Sequence, residues 1–563
     1  MGRGFKPLSI IADYLLKLPV SETKKRSLVG IAGIVAIATM LSKVAGLVRQ
    51  VAIAAFFGVG PAYDAYNYAY VIPGFLLILL GGINGPFHSA IVSVLAKRKK
   101  EEAAPLVETI TTAVGGILLL ATIALIIFAE PLLNLVAPGL GRTPEGLVIQ
   151  KIAIEQSRIM APMALLAGLI GIGFGTLNAA DMYWLPSISP LFSSVALLVG
   201  LAGFFVVVGG QVTDPQHVFL GGLVLAYGTL GGAVLQWLIQ VPAQWKAGLG
   251  TLRLRFNFRD PGVQDVIKIM GPATLSSGMM YINVQTALFF ASFIPQAASA
   301  MGYATLLIQT PLGIVSNVIL VPLLPVFSRL ANPEDWPELK QRIRQGLVMT
   351  AVTMLPLSAI FSALALPIVE LVYKRGAFGD RDVIFVAQVM VAYAIGMFAY
   401  LGRDVLVRVF YALGDGETPF RISVVNIFLN AVLDAILIFP LGTPGLVLAT
   451  VIVNITSMLA LMWYLDRKIH GLPWREWGLI VFQMTLVSVV AGCVSAGTFW
   501  VCQQSLNQTN FLIQLVQLCV AGTAGLVVFG GIATACQLPG TTPLMDLLRR
   551  KLPRQLGGRR EDD

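Results

Sequence analysis

Charge is scarce in this sequence. Asp, Glu, Lys and Arg make up only 12% of its 563 residues, about half the share of a soluble domain, so the chain cannot clothe a water-facing surface of its own size. Histidine is nearly absent: His88, His217 and His470 lie far apart and offer no credible catalytic base. The four cysteines, Cys493, Cys502, Cys519 and Cys536, form no CxxC-type pair, which argues against a metal site or disulfide framework and marks them as packing residues. The phosphate-binding GxxxxGK[ST], the zinc-protease HExxH and a strand-borne GxGxxG are all missing. Gly168, Gly171, Gly173 and Gly175 cluster inside an apolar run, where glycine serves close helix packing rather than phosphate binding. The bases sit in short blocks between apolar runs, the topology signal of a membrane protein, so nucleic acid is not an expected partner. An enzyme, which needs a convergent acid/base or metal set, finds no support either.

What the sequence has is apolar length. Hydrophobic residues make up 56% and the mean hydropathy is +0.80. Roughly 315 apolar residues, at about 20 per crossing, supply at most about 15 spans. The pattern of apolar runs and Gly/Pro breaks predicts an all-α polytopic membrane protein of about 14 transmembrane helices. They are expected near 28–57, 63–95, 104–137, 151–180, 184–209, 217–244, 263–294, 298–330, 344–373, 382–413, 419–440, 444–466, 477–502 and 511–537. Residues 1–27 carry an amphipathic stretch expected to lie in the membrane interface rather than to be a cleaved signal.

Sorting bases by alternate connections gives the topology. One set holds Lys97 to Lys100, Lys246, Arg253, Arg255, Arg259, Arg329, Lys340, Arg342, Arg344, Arg421, Arg467, Lys468, Arg475 and the basic C-terminal tail, whereas the other holds little beyond Arg142, Lys374, Arg375 and Arg381. The positive-inside rule then puts both termini in the cytoplasm, as an even number of spans requires.

A weak internal repeat runs through this pattern. GLVLA occurs at Gly222 to Ala226 and again at Gly445 to Ala449; Asp181 with Pro186 is echoed by Asp415 with Pro419, and Val94 to Lys97 by Val326 to Arg329. These copies are 223 to 234 positions apart, close to six spans, so two six-helix lobes related by a pseudo-two-fold axis along the membrane normal are expected. The expected divisions are an interfacial segment over 1–27, an N-lobe of spans 1–6 over 28–246 and a C-lobe of spans 7–12 over 247–470. A C-terminal helix pair over 471–540 and a basic tail over 541–563 follow.

The informative residues are charges at membrane depth, each costing about 2.5–3.5 kcal/mol on insertion scales unless it faces water or a partner. Lys43 and Arg49 in span 1 have no local partner, which makes an anionic ligand the economical one. Glu155 and Arg158 in span 4 are spaced to neutralise each other. Span 10 carries Arg403, Asp404 and Arg408. In spans 11 and 12, Asn430, Asp434 and Thr450 form a hard oxygen set that suits Na+ or a proton relay, or alternatively serves as interhelical hydrogen-bond glue.

These features converge on a known pattern. SKVAGLVRQ (Ser42 to Gln50), AAFFGVGPAYDAY (Ala54 to Tyr66), the break at Ile72, Pro73 and Gly74, GPA (Gly271 to Ala273) and FYALGDGETP (Phe410 to Pro419) resemble the MurJ (MviN) lipid II flippases over nearly the whole chain. The resemblance implies the fold of the multidrug/oligosaccharidyl-lipid/polysaccharide exporter superfamily. That fold has two six-helix lobes around a V-shaped cavity and a final helix pair, spans 13 and 14, lining a lipid-tail groove. It implies a transporter, not an enzyme, that flips a lipid-linked peptidoglycan precursor from the inner to the outer leaflet of a bacterial plasma membrane. It further implies that Lys43, Arg49, Asp64 and Arg408 hold the pyrophosphate headgroup, that Asn430, Asp434 and Thr450 match a sodium site, and that no other metal or cofactor is needed. Na+ or H+ coupling, membrane lipids and the cell-wall synthesis machinery are the implied companions. The chain departs from the family where relatives carry charge: Phe75 to Asn84 is uncharged, and Leu306, Gln309 and Ala287 stand at positions of charged residues. An exporter of another polyprenyl-pyrophosphate-linked oligosaccharide, or a multidrug cation antiporter, remains the alternative expectation.

Overall fold

The computed structural model describes residues 28–82, 86–95, 100–212, 214–250, 252–266, 268, 270, 285–505 and 510–539. The N-terminal amphipathic stretch, Lys97 to Lys99, the GPA motif, half of the expected span 7 and the basic tail lie outside the described residues. Among the described residues every regular element is helical, as apolar chain must be where no water completes the backbone hydrogen bonds.

In the first half, α1 (Leu28–Phe57) is a continuous helix, followed by three short ones: α2 (Pro61–Ala69), α3 (Val71–Gly81) and α4 (Pro86–Leu95). The expected second span is therefore broken; Tyr70 and Pro73 stand at its first interruption and Gly82 at its second. Next come α5 (Lys100–Ile127), α6 (Ala129–Val136), α7 (Pro144–Met160), α8 (Met163–Ala179), α9 (Trp184–Val208) and α10 (Val218–Lys246). Helix α7 begins as its sequence dictates: Thr143 Oγ1 accepts from the Gly146 N–H and Pro144 fills the first position, where a missing N–H costs nothing. The α8 glycines are buried, and a Cβ at Gly168 or Gly173 would lie 2.3 Å from Leu118 or 2.2 Å from Gln240, so close packing is what they provide.

The second half holds α11 (Ala297–Arg329), α12 (Trp336–Ala363), α13 (Ala365–Tyr373), α14 (Asp380–Ile395), α15 (Met397–Ala412) and the 52-residue α16 (Glu417–Lys468). At 1.5 Å per residue α16 would measure about 78 Å straight, far beyond one bilayer. It is instead two helices, because Gly442 breaks it at φ 58°, ψ −137°. Its ends meet: Lys468 Nζ lies 2.6 Å from Asp415 Oδ2. Burial pushes the Asp415 carboxyl up, but the bonds from Lys468 and Thr418 outweigh it and hold the group below its ordinary value. That contribution is complete above the normal carboxylate range and is lost as pH falls through the lowered value. Finally α17 (Trp474–Ser505) and α18 (Phe511–Ala535) pair with each other and with α12. Gly525 permits the crossing, since a Cβ there would sit 2.0 Å from Ser495 Oγ. The four cysteines on this pair are free, and Cys493, Cys519 and Cys536 are exposed; they face outward instead of packing as expected.

Among the described residues ten helices are long and apolar enough to cross a membrane, or eleven if the bent pair α7 and α8 (42°) is one span. The expected fourteen exceed this because α16 holds two expected spans in one helix, the second span is broken and half of the seventh lies outside the described residues.

The repeat is written into the backbone. Left-handed breaks recur at Asp181 (φ 60°) and Gly414 (φ 73°), and at Gly209 (φ 66°) and Gly442 (φ 58°), each pair 233 positions apart. Gly248 (φ 69°) and Gly471 (φ 96°) follow 223 apart, matching the GLVLA spacing. The change from 233 to 223 has a simple source, because Gly209 to Gly222 spans 13 positions and Gly442 to Gly445 only 3. Gly442→Ala should lower stability by about 1–3 kcal/mol, since that φ/ψ is essentially closed to a Cβ. Gly530→Ala, with nothing within 4 Å, should not; thermal unfolding in detergent compares the two.

Candidate functional site

The halves meet around a cavity of ≈ 580 Å³. From the first half its wall takes Arg49, Gln50 and Ile53 of α1, Tyr63, Tyr66, Asn67 and Tyr70 of α2 and the following turn, and Ser193 and Thr229. From the second half it takes Thr305, Leu306 and Gln309 of α11, Tyr393 of α14, Tyr400 and Arg403 of α15, and Asn430, Thr450 and Asn454 of α16. The described lining holds two cations, Arg49 and Arg403, and no carboxylate.

Neither guanidinium is ion-paired within the described residues. Arg49 Nε is buried without a hydrogen-bond partner, and Arg403 Nε donates to Ser457 Oγ at 3.2 Å. Both residues are half-buried, and a partly desolvated charge with no ion partner is costly unless a ligand or water completes it. Beside Arg49 runs an aromatic ladder: Tyr63 stacks on Tyr66 at 6.0 Å and Tyr66 on Tyr70 at 5.4 Å. Gln50 Nε2 donates to the Tyr63 hydroxyl, fixing the first rung against α1.

The structure distributes the sequence-predicted residues unevenly. Arg49 faces the cavity; Lys43, about two turns earlier, is exposed and outside its wall. Arg408 also lies outside the wall and donates from Nη1 to the Leu320 carbonyl at 2.9 Å. Arg403 takes the cavity position on that helix, five residues away and on another face. Asp64 is fully buried: Oδ1 accepts from the Ser299 N–H at 2.8 Å and Oδ2 from the Gln296 N–H at 3.1 Å. It thus caps the start of α11 in the opposite half. Glu155 and Arg158 pair at 2.6 Å, as their spacing implies.

Asn430 and Asp434 are brought together, with Asn430 Nδ2 donating to Asp434 Oδ2 at 3.1 Å. Their remaining oxygens, Asn430 Oδ1 and Asp434 Oδ1, are buried and without a donor. Thr450 reaches the same cavity wall from the returning half of α16. Asp434 itself is not part of that wall; the two orphaned hard oxygens are of the kind that takes a small cation or a proton. Ala287, Leu306 and Gln309 also face the cavity, so the uncharged positions thin its charge directly.

One end of the cavity is shut by reciprocal contacts. Gly139 packs on Ser292, and Gly376 packs on Ala55, where a Cβ would lie 2.2 Å from the carbonyl oxygen. Glu145 Oε1 accepts from Gln296 Nε2 at 3.3 Å, while Asp382 Oδ2 accepts from the Val59 N–H at 3.2 Å. Glycines 139 and 376, partners 55 and 292, acids 145 and 382, and donors 59 and 296 are all 237 positions apart. Each half therefore grips the other with equivalent residues, the hallmark of two-fold pairing. Away from this end α1 is largely uncovered, with Ile37 64%, Met40 69% and Val44 53% exposed.

Comparison with known proteins decides what this architecture is. The family model described as "Lipid II flippase MurJ" matches residues 53–519. The chain belongs to the MurJ family. It is 56% identical to the "Probable lipid II flippase MurJ" of Synechocystis sp. over 95% of this chain and 99% of the relative. It is 27% identical to the "Lipid II flippase MurJ" of Burkholderia cenocepacia over 88% and 94%. Among solved structures, "Lipid II flippase MurJ, inward closed conformation" superposes with TM-score 0.70 at 22% identity, covering 92% of this chain and 99% of that one. An inward-facing multidrug resistance MATE family transporter of the MOP superfamily follows at TM-score 0.56 and 15% identity, covering 78% and 98%. The fold is thus that of MurJ and MATE carriers, and the chain is a multi-pass membrane protein.

Sequence reasoning passed over the tyrosine ladder, and it marked Arg403 as a charge at membrane depth but gave the headgroup role on that helix to Arg408. The ladder had a signal: Tyr63, Tyr66 and Tyr70, spaced by three and four, form one helical stripe. If the Asp64 cap holds the closed end together, Asp64→Ala should cost about 2–4 kcal/mol, because hydrogen bonds to a charged acceptor are worth 1.5–3 each. Asp64→Asn, which keeps one acceptor, should fall between, in thermal unfolding of the purified protein.

Proposed function

We propose that this protein is a flippase that moves the lipid-linked peptidoglycan precursor lipid II from the inner to the outer leaflet of a bacterial plasma membrane by alternating access. Membership of a transporter family makes it a carrier rather than an enzyme. The observation that carries the reading is the cavity lining, with two unpaired guanidiniums from opposite halves and no carboxylate. Arginine is the residue suited to a pyrophosphate, since its planar donors match phosphate oxygens. Arg49 and Arg403 hold the diphosphate between the halves, and Tyr63, Tyr66 and Tyr70 offer stacking faces to the headgroup. Lys43, nearer the uncovered part of α1, meets the headgroup on entry; Asp64 and Arg408 act on the framework that positions the site. The lipid tail stays in the bilayer along α17 and α18. Basic connections on one side place both termini in the cytoplasm, so the clamped end faces outward and the cavity loads from the cytoplasmic side. Residues 28–246 and 247–470 rock against each other as the two lobes, and the cell-wall synthesis machinery consumes the product.

Another polyprenyl-pyrophosphate-linked oligosaccharide would satisfy the same two arginines. A drug-cation antiporter would need acidic groups in the lining, and the described lining has none. Asn430, Asp434 and Thr450 supply the coupling site. A Na+ ion held there would neutralise the Asp434 carboxylate and satisfy the two orphaned oxygens; a proton on Asp434 would do the same by covalent means. Either would bias the lobes by differential affinity for their two arrangements.

In cells depleted of their own flippase, Arg49→Ala and Arg403→Ala should each lower lipid II translocation on the order of tenfold, the worth of a charge-assisted bond. Arg49→Glu should abolish it, and labelled lipid II should accumulate on the inner leaflet; a wild-type leaflet distribution in Arg49→Glu would defeat the proposal. Asp434→Asn should remove any dependence of transport on Na+ or pH while leaving binding of lipid II to the purified protein within about twofold; its binding is read separately from its transport.

A further inference from the structure

The segment that joins the two halves has an unusual surface. Residues 252–257 carry no regular structure, residues 258 and 259 form a turn in which the Asp260 N–H donates to the Asn257 carbonyl at 3.2 Å, and every residue from 252 to 259 is exposed. Apolar and polar side chains alternate: Leu252 (53% exposed), Leu254 (74%), Phe256 (69%) and Phe258 (46%) are interleaved with Arg253, Arg255, Asn257 and Arg259. Ahead of the turn at 258 and 259, alternation along the chain favours one side for Leu252, Leu254 and Phe256 and the other for Arg253 and Arg255. The apolar set holds together, with the Phe256 and Phe258 rings edge-on at 6.0 Å. Four large uncovered apolar side chains in one short loop are costly in water.

The depth of the segment is fixed by its tether. The Arg255 N–H donates to Thr112 Oγ1 at 3.0 Å, and Arg255 Nε lies 2.5 Å from Glu108 Oε2. Glu108 is the last charge on α5 before 21 uncharged residues that end at Glu130, about 30 Å of helix and therefore one hydrocarbon thickness. Thr112 and Glu108 thus mark the boundary between hydrocarbon and headgroups. Buried Leu249 on one side, and Val263 and Val266 on the other, pack into the same cluster as Val107 and Ile110, so the segment is stapled at that level at both ends. Trp245, 51% exposed at the end of α10, is a residue type that favours the same boundary. The bases are in surplus: Lys246, Arg253, Arg259 and Lys268 are exposed, Arg255 is occupied by Glu108, and Asp260 Oδ1 accepts from the Gly262 N–H at 2.7 Å.

We propose that residues 252–259 form an in-plane strap on the leaflet. Leu252, Leu254, Phe256 and Phe258 lie among the acyl chains at the interface, and Arg253 and Arg259 bind the phosphates of anionic phospholipids. The arginine stems reach up past the apolar row to the headgroups. The strap ties the junction between the halves to the membrane surface, and it does so whatever lipid-linked cargo the cavity carries.

The test uses the full-length protein in lipid nanodiscs, with the four native cysteines replaced by serine and an environment-sensitive fluorophore on one new cysteine at a time: Leu254→Cys, Phe256→Cys, Arg253→Cys or Asn257→Cys. Quenching by bromine-labelled lipid should alternate, strong at 254 and 256 and weak at 253 and 257. At 256 it should be several-fold stronger in phosphatidylglycerol-containing discs than in pure phosphatidylcholine, and should weaken with salt. Arg253→Ala with Arg259→Ala in the 256-labelled protein should remove the lipid-type dependence and leave the protein folded, because the Arg255 tether is intact. Equal quenching at all four positions, iodide reaching 254 and 256 as readily as 253 and 257, or identical behaviour in both lipids would overturn the proposal.

Discussion

The closed end of the cavity rests on carboxylates that accept hydrogen bonds from the backbone of the opposite half. Asp64 caps the first turn of α11, and Asp382 receives the Val59 N–H just ahead of α2. At a helix start the N–H groups have no partner inside the helix, and their aligned dipoles favour a negative group. Placing such a group on the other lobe makes helix termination and lobe docking the same event. The glycines that allow this approach, Gly139 and Gly376, bring backbone against backbone with no side chain between. The close approach of the two lobes beside the cavity follows from that docking.

Much of this was legible beforehand. Apolar run length alone located nearly all the helices, because membrane helices are selected by the cost of unpaired backbone, a property each segment carries by itself. The GLVLA and Asp/Pro echoes marked a repeat whose left-handed breaks recur at Asp181 and Gly414 and at Gly209 and Gly442. What stayed illegible was which face of a helix looks inward. Arg403 and Arg408 are both basic residues in one apolar helix, and only packing against α11 and α16 decides that Arg403 enters the cavity while Arg408 turns to the Leu320 carbonyl. Asp64 was hidden for a related reason: its partners are backbone groups more than 230 positions away, which no local spacing reveals. The break in the second span was likewise visible only as Pro73 and Gly74, residues that many membrane helices tolerate.

The two halves share a backbone plan and differ in what they present to the cavity. The first contributes an aromatic ladder and Arg49; the second contributes Arg403 and the oxygen set around Asn430 and Asp434. One side offers flat faces and positive charge, the other orphaned acceptors. Under the proposed function, a symmetric frame with asymmetric contents would let a large anionic headgroup and a small cation act on the same rocking motion from opposite walls. The uncharged Ala287, Leu306 and Gln309 leave fewer groups to carry that work, which raises the share borne by each arginine.

Behind the docking contacts, Tyr303, Tyr373 and Phe378 form a fully buried aromatic knot, with ring centroids 5.0 to 5.6 Å apart and the Tyr303 hydroxyl donating to the Gly58 carbonyl at 3.0 Å. A cavity between two lobes of a membrane carrier threatens to short-circuit the electrochemical gradient across it. Three fully buried rings in close contact fill the space behind the docking contacts with dense packing, the kind of barrier that would keep the membrane electrically tight.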